Sequence, residues 1–223
     1  MLDLNMDGSE PCQSLDTIIG DLDSLRPDAR QFWYDNGSEI IFDSNQDSTD
    51  FTKAVRYLKT FRVPQGAELT PSKSESQRAA IQIVKDGPRI YDIVCLGGLG
   101  GRVDQGMSIL HHLYMFQNKP EYSPGRVFLL SNSSITFVLQ AGMHRIQVRE
   151  GPSRLGLGKH VGIIPLKEPS VITTDGLEWD VKDWPTAFGG QMSTSNHVRE
   201  DWVTIETTKD ILFTIDLDLD ISL

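Results

Sequence analysis

At 223 residues the chain is long enough for one large domain or two smaller ones, each with its own core. With 39% hydrophobic and 23% charged residues it has an ordinary globular composition. The 31 acidic and 21 basic residues give a formal net charge of −10, and no Lys/Arg block occurs. Nucleic acid and anionic membrane are therefore not expected as partners, although a nucleotide gripped by local Arg, Lys and metal ions is compatible with that charge.

Residues 1–13 are short, acidic and unpatterned, unlike a signal or transit peptide, and no apolar run approaches the roughly 18 residues of a membrane span. Cys12 and Cys95 make no disulfide framework, so a reducing, cytoplasmic setting is expected, with Cys95 a small core residue. In chain order, a short apolar strand over 17–19 runs into Gly20-Asp21-Leu22-Asp23-Ser24, and a helix over 27–34 has Pro27 near its first turn. A strand over 38–42 leads into Asp43-Ser44-Asn45-Gln46-Asp47-Ser48-Thr49-Asp50. There Ser48, Thr49 or Asp50 can cap a helix whose apolar face is Phe51, Ala54, Val55, Leu58 and Phe61. Residues 64–76 read as a polar surface insertion and 77–85 as a short helix. The third strand, 91–96, ends in the loop 97–105, GGLGGRVDQ. A helix with Met107, Leu110, Leu113 and Tyr114 on one face follows, then a fourth strand over 126–130.

Repeated strand, loop and helix imply a wound parallel sheet. Ligands of such sheets bind beyond the carboxyl ends of the strands. Asp21 with Asp23, Asp47 with Asp50, and Arg102 with Asp104 each follow a different strand end, so folding is expected to gather them, with Lys53, at one edge. Carboxylates so concentrated repel unless a cation neutralises them, which implies Mg²⁺, and a guanidinium among glycines suits a metal-bound polyphosphate. Two plainer readings stand beside this one: glycines between strand and helix are common turn chemistry, and an Asp after a strand is often only a helix cap. The loop is neither a Rossmann fingerprint nor a P-loop, since Val103 stands where the former needs glycine.

After a linker at 118–125 the composition turns to strands: 134–140, 144–149, 160–166, 171–174, 177–181, 203–207 and 211–217. An all-β sandwich is expected here, so the fold class is α/β plus all-β, with residues 1–122 as the wound domain and 123–223 as the sandwich. Asp175-Gly176 reads as the clearest hairpin and puts Trp179 on its returning strand. Residues 189–197, GGQMSTSNH, are either an ordinary loop or a set of hydroxyls and an amide for the polar edge of a heterocycle, with Trp179 or Trp184 as a flat wall for a cation. The five histidines form no metal set. His111 and His112 are adjacent and diverge on a helix, and His144, His160 and His197 read as isolated, structural or solvated.

Four of these stretches together, Gly20 to Ser24, Gln46 to Lys53, Gly97 to Gln105, and Gly176 to Trp179 with Ser193 to Asn196, resemble the successive motifs of eukaryotic thiamine pyrophosphokinases, from about Leu15 to the end of the chain. The resemblance implies transfer of a diphosphoryl group from ATP to thiamine, giving thiamine diphosphate and AMP with Mg²⁺, in a homodimer with sites between subunits. It assigns Asp21, Asp23, Asp50 and Asp104 to catalysis and the metal, and Gln46, Thr49, Lys53, Gly100, Gly101 and Arg102 to ATP and its phosphates. Ser193, Ser195 and Asn196 are assigned to the aminopyrimidine, and Trp179 to an aromatic wall reaching the partner's site. The family pattern also includes an earlier strand with an Ala-Asp-Gly-Gly type motif that residues 1–13 do not carry. The expectation is therefore weaker ATP binding and lower solubility than in a complete member. The alternatives are a non-catalytic thiamine-binding or dimerising module and, further off, a magnesium-dependent nucleotide hydrolase.

Overall fold

The computed structural model describes residues 15–60, 92–118, 126–149 and 156–218. The expected insertion at 64–76, the helix at 77–85, Cys12 and all but the first residue of the linker at 118–125 lie outside the described residues. The chain divides into two compact units, Met1–Ile90 and Tyr91–Leu223.

In the first unit β1 (Thr17–Gly20) and β2 (Glu39–Phe42) pair in parallel, with Thr17 opposite Glu39 and Gly20 opposite Phe42. Between them runs α1 (Pro27–Asp35), which begins at a proline whose missing N–H would have had no helical partner. It ends where Asn36 turns both its backbone N–H and its side-chain amide onto the Phe32 carbonyl, and Gly37 at φ 85° lets the chain reverse. After β2, α2 (Asp50–Thr60) packs on β1 through the buried Val55. Of the three candidate caps, Thr49 does the capping: its Oγ1 accepts the Thr52 N–H at 3.2 Å and its carbonyl accepts the Lys53 N–H at 3.0 Å.

The second unit contains β3 (Ile93–Leu96), α3 (Val103–Asn118), β4 (Val127–Leu130), β5 (Ser134–Leu139), β6 (Gly142–Gln147), β7 (Leu157–Ile164), β8 (Ser170–Asp175), β9 (Trp184–Thr186), β10 (Ser193–His197), β11 (Trp202–Thr207) and β12 (Ile211–Leu217). A six-stranded sheet has the order β10-β7-β12-β5-β4-β3 and a four-stranded sheet the order β6-β11-β8-β9. Strands β3 and β4 are parallel, as a strand-helix-strand unit requires, and α3 covers β4 and β5 with Leu113 and Phe116 buried. At the turn of residues 131–134, Ser131 ties its hydroxyl and N–H to Ser134, so β5 returns antiparallel to β4 and the sheet changes character within itself. Between the two sheets lies a core that includes Val148, Val161, Ile163, Ile172, Val203, Ile205, Ile211, Phe213 and Ile215, all at most 1% exposed. Burial alternates along β8 and β11, as a sandwich demands, while Ile211 to Phe213 of β12 and Val161 to Ile163 of β7 are buried continuously. Helices with parallel strands followed by a β-sandwich thus match the α/β plus all-β expectation. Among the described residues no helix is long and apolar enough to cross a membrane.

Three local expectations are corrected. The Asp175-Gly176 hairpin does not close tightly, because the Asp180 carboxylate takes the N–H groups of Gly176 and Leu177 that a ladder would have used, together with the Thr174 hydroxyl at 2.8 Å. Across the turn the Thr174 N–H still reaches the Val181 carbonyl at 2.9 Å, Leu177 forms an isolated bridge to Val198, the returning strand is β9, and Trp179 rides on the loop between. Residues 193–197 are strand rather than loop, since β10 is an edge strand that can leave Thr194 and Ser195 exposed while burying Asn196. Cys95 is half-buried rather than in the core, on a strand whose neighbours Val94 and Leu96 are exposed, and burial pushes its thiol up to about 11.

Candidate functional site

The end of β1 is shaped around a carboxylate from α2. A Cβ on Gly20 would stand 2.8–2.9 Å from the Asp50 carboxyl group, so glycine is what lets Asp50 lie against the strand end. There Asp50 Oδ1 accepts the Asp21 N–H at 3.3 Å and pairs with Lys53 Nζ at 3.0 Å. The Lys53 side chain is 2% exposed and its partner Asp50 is 54% exposed, so the ammonium is buried with one face turned to a carboxylate that solvent also reaches. Beside them, Leu22 holds φ at 59°, a strained setting for a γ-branched residue, in the bend that carries Asp21 and Asp23. The Asp23 N–H, 3.3 Å from Asp21 Oδ1, holds the Asp21 carboxyl below the usual carboxylate range, with the side chains of Asp23 and Gln46 and the Lys53 charge acting in the same direction.

The sequence-derived residues Asp21, Asp23, Gln46, Thr49, Asp50 and Lys53 are therefore neighbours in one unit. Among the described residues no three His, Cys, Asp or Glu side chains are gathered closely enough to enclose a metal ion. The donor set of Asp21, Asp23 and Asp50 nonetheless consists of hard carboxylate oxygens, and Mg²⁺ takes only one or two carboxylates besides water and substrate phosphates. These residues fit such a cation when it arrives with a polyphosphate.

In the second unit the loop between β3 and α3 turns through positive φ at Gly97, Gly98 and Gly101. Nothing lies within 4 Å of where a Cβ would stand on Gly100 or Gly101, so the backbone there is bare. Arg102 and Asp104 form a two-point ion pair, with Nε to Oδ1 at 3.1 Å and Nη2 to Oδ2 at 2.6 Å, both side chains well exposed. The guanidinium holds the Asp104 carboxyl below the usual range, helped by the backbone N–H groups of the first helical turn.

The third group also belongs to the second unit. Asn196 is buried, and its amide reaches the Trp179 backbone at both ends: Oδ1 accepts the Trp179 N–H at 3.1 Å and Nδ2 donates to the Trp179 carbonyl at 2.9 Å. Trp179 itself is 57% exposed, whereas Trp184 packs against the core. Between Ser193 and Asn196 the β10 to β7 register shifts, and Ser195 at the bulge takes φ 55°, which lifts Thr194 and Ser195 out of the ladder and leaves both exposed.

His160 and His197, expected to be isolated, stand directly opposite each other on β7 and β10. Each is tied to a carboxylate, His160 to Asp216 and His197 to Glu178. Sequence reasoning read His160 as isolated and gave Glu178 and Asp216 no role of their own. Glu178, next to the singled-out Trp179, was within reach of it; the other two depend on strand register, which sequence does not display.

Known proteins match the chain in two successive stretches, the first of which runs past the boundary between the two compact units. The family model described as "Thiamin pyrophosphokinase, catalytic domain" matches residues 9–122 and the one described as "Thiamin pyrophosphokinase, vitamin B1 binding domain" matches residues 143–212. The chain belongs to the thiamin pyrophosphokinase family. It is 35% identical over 205 residues to "Thiamine pyrophosphokinase 1" of Oryza sativa subsp. japonica, covering 91% of this chain and 66% of that protein. It is 29% identical over 223 residues to "Thiamine pyrophosphokinase" of Saccharomyces cerevisiae, covering 91% and 69%. The chain thus spans just under two thirds of the rice relative. Among solved structures it resembles thiamin pyrophosphokinase from Candida albicans at a TM-score of 0.71 and 27% identity, over 92% of this chain and 74% of that one. The thiamine pyrophosphokinase of Bacillus subtilis, at 0.63 and 17%, shares the fold.

Proposed function

We propose that the chain makes thiamine diphosphate and AMP from thiamine and ATP. The observation that carries this reading is that the catalytic-domain and vitamin-B1-domain models match in succession, each over residues that here form a polar site. In this reading the hydroxyethyl oxygen of thiamine attacks the β-phosphorus of ATP, the bond from that phosphorus to the oxygen bridging to the α-phosphate breaks, and AMP leaves with that oxygen. The hydroxyl proton passes to a carboxylate of the set Asp21, Asp23, Asp50 and Asp104. Such transfers depend on in-line positioning and charge neutralisation more than on covalent chemistry.

Lys53, held by Asp50 at 3.0 Å, supplies a fixed positive charge. Arg102 exchanges Asp104 for a phosphate oxygen, and the bare backbone of Gly100 and Gly101 admits the phosphate chain. Gln46 and Thr49 border the substrates. Bound Mg²⁺ would neutralise the polyphosphate, taking one or two of its ligands from the carboxylates Asp21, Asp23, Asp50 and Asp104. Ser193 and Ser195 hydrogen-bond the aminopyrimidine, Trp179 offers a flat face to the thiamine of the partner's site, and Asn196 keeps that face in place. A homodimer in the cytoplasm, with Trp179 reaching the partner's site, completes the reading, and sedimentation velocity checks its assembly state.

The test is AMP formation from ATP and Mg²⁺ by this chain, with and without thiamine. Thiamine-dependent AMP is expected. AMP released equally in its absence, or none with thiamine present, overturns the reading.

A further inference from the structure

The exposed indole of Trp179 is held from two sides, by Asn196 and by a histidine that the proposed reaction leaves unused. Asn196 fixes its backbone. The His197 imidazole packs against its ring, with centroids 5.1 Å apart and planes inclined at 44°. That imidazole is immobile in its turn, because its Nδ1 meets Glu178 Oε2 at 2.5 Å and the other oxygen of Glu178 is taken by Arg199 Nη2 at 2.5 Å. Behind it stands the His160 ring, its cross-strand partner, at 5.1 Å and 70°.

His160 is anchored the same way. One Asp216 oxygen meets its Nδ1 at 2.7 Å and the other accepts its backbone N–H at 2.8 Å. Asp216 can reach across because β12 and β7 shift register between Ile215 and Leu217, and because Gly158 has no Cβ where the carboxylate lies. The row Asp216, His160, His197, Trp179 is thus fixed from end to end, while 57% of Trp179 stays in solvent. An ordinary surface tryptophan must surrender its side-chain freedom when a ligand stacks on it, and here folding has already removed that freedom.

We propose that His197 is a positioning residue for Trp179: locked by Glu178 and Arg199 and backed by the His160 and Asp216 pair, its ring holds the indole as a preformed wall for a flat cationic heterocycle. The proposal rests on reading this loop as the thiamine site.

The test is the steady-state kinetics of thiamine-dependent AMP formation by the full chain. His197→Ala is expected to raise the KM for thiamine about tenfold while kcat and the KM for ATP stay within about twofold. His197→Phe, which keeps a ring against the indole but not the bond to Glu178, is expected to bring the KM for thiamine back to within about threefold of the unaltered chain. A KM for thiamine unchanged in His197→Ala, or a loss in His197→Phe as large as that in His197→Ala, overturns the positioning role. Should His197→Ala fail to fold, Glu178→Ala leaves the ring but frees it. A rise of about threefold in the KM for thiamine is then expected, and no rise overturns the proposal. If the unaltered chain neither binds thiamine in a titration nor forms thiamine-dependent AMP, the thiamine reading itself falls and takes this proposal with it.

Discussion

Asp23, Asp50 and Asp104 keep their carboxylates largely in solvent, each with at most a few partners, whereas Asp180, Glu178 and Asp216 spend their carboxylates, and Asn196 its amide, on neighbouring backbone and side chains. The first set leaves negative charge available to a cation, and the second uses polarity to fix shape. The diphosphoryl transfer proposed above, from a highly charged nucleotide to an organic cation, would call for both. The contrast makes a sharp forecast: substitutions in the first set should change chemistry more than stability, and those in the second the reverse.

The largest expected effect is that of Asp104→Ala on AMP formation, a loss of about 10²–10³-fold from removing a charged group of the phosphate site. Its exposed partnership with Arg102 contributes only about 0–1 kcal/mol to the fold, so thermal unfolding should scarcely move. Retained turnover would remove Asp104 from the charge-bearing set. Next, Gly176→Ala should destabilise the second unit by about 3 kcal/mol, since a side chain there must adopt φ 97° and its Cβ would collide with the Trp202 carbonyl oxygen. Urea denaturation reads this directly, and an unchanged midpoint would show the bend to be pliable.

Asp50→Ala tests whether the two categories overlap, because it leaves the nearly buried Lys53 ammonium without its carboxylate. With Asp50 half in water, the cost should be roughly 1–2 kcal/mol rather than the larger penalty of a fully buried pair. Asp50→Asn, which keeps an acceptor oxygen, should cost less, and equal costs would mean that the charge is immaterial there.

Smaller effects come from titration. The His197 ring, followed by Arg199, holds Glu178 below its ordinary range, so its ionisation favours the fold above the unfolded value of about 4.3 and that contribution disappears as pH falls through the lower, folded value. Glu178→Gln should therefore flatten the acid limb of a stability profile below about pH 5, and an unaltered limb would show the pair to be idle. Last, Cys95, pushed up to about 11 by burial, should react with iodoacetamide at neutral pH far more slowly than a free thiol; reaction at the free-thiol rate would contradict its half-buried setting.

Much of the first unit was readable from sequence because its signals are local: apolar spacing marked α2, and the position of Asp21 and Asp50 just past strand ends marked a polar edge. Thr49 as cap was one of three candidates, and only geometry chose among them. The second unit was readable strand by strand but not in its pairing. Nothing in the composition of residues 91–130 says that β3 and β4 extend the sheet containing β5, β12, β7 and β10, nor that His160 faces His197, because register is set by contacts far apart in the chain. The failed hairpin has a different cause. Asp175-Gly176 is a strong local turn signal, but Asp180, four residues beyond Gly176, offers a competing acceptor, and a side chain there outbid the backbone ladder.

The Asn196 amide presents one acceptor and one donor to the Trp179 peptide, the same complement that a neighbouring strand would offer. A single side chain therefore serves as a surrogate strand one residue long. The place of the indole thus hangs on one side chain rather than on a ladder of backbone bonds. By the same logic Asn196→Asp, isosteric but with no amide donor, would unhook it.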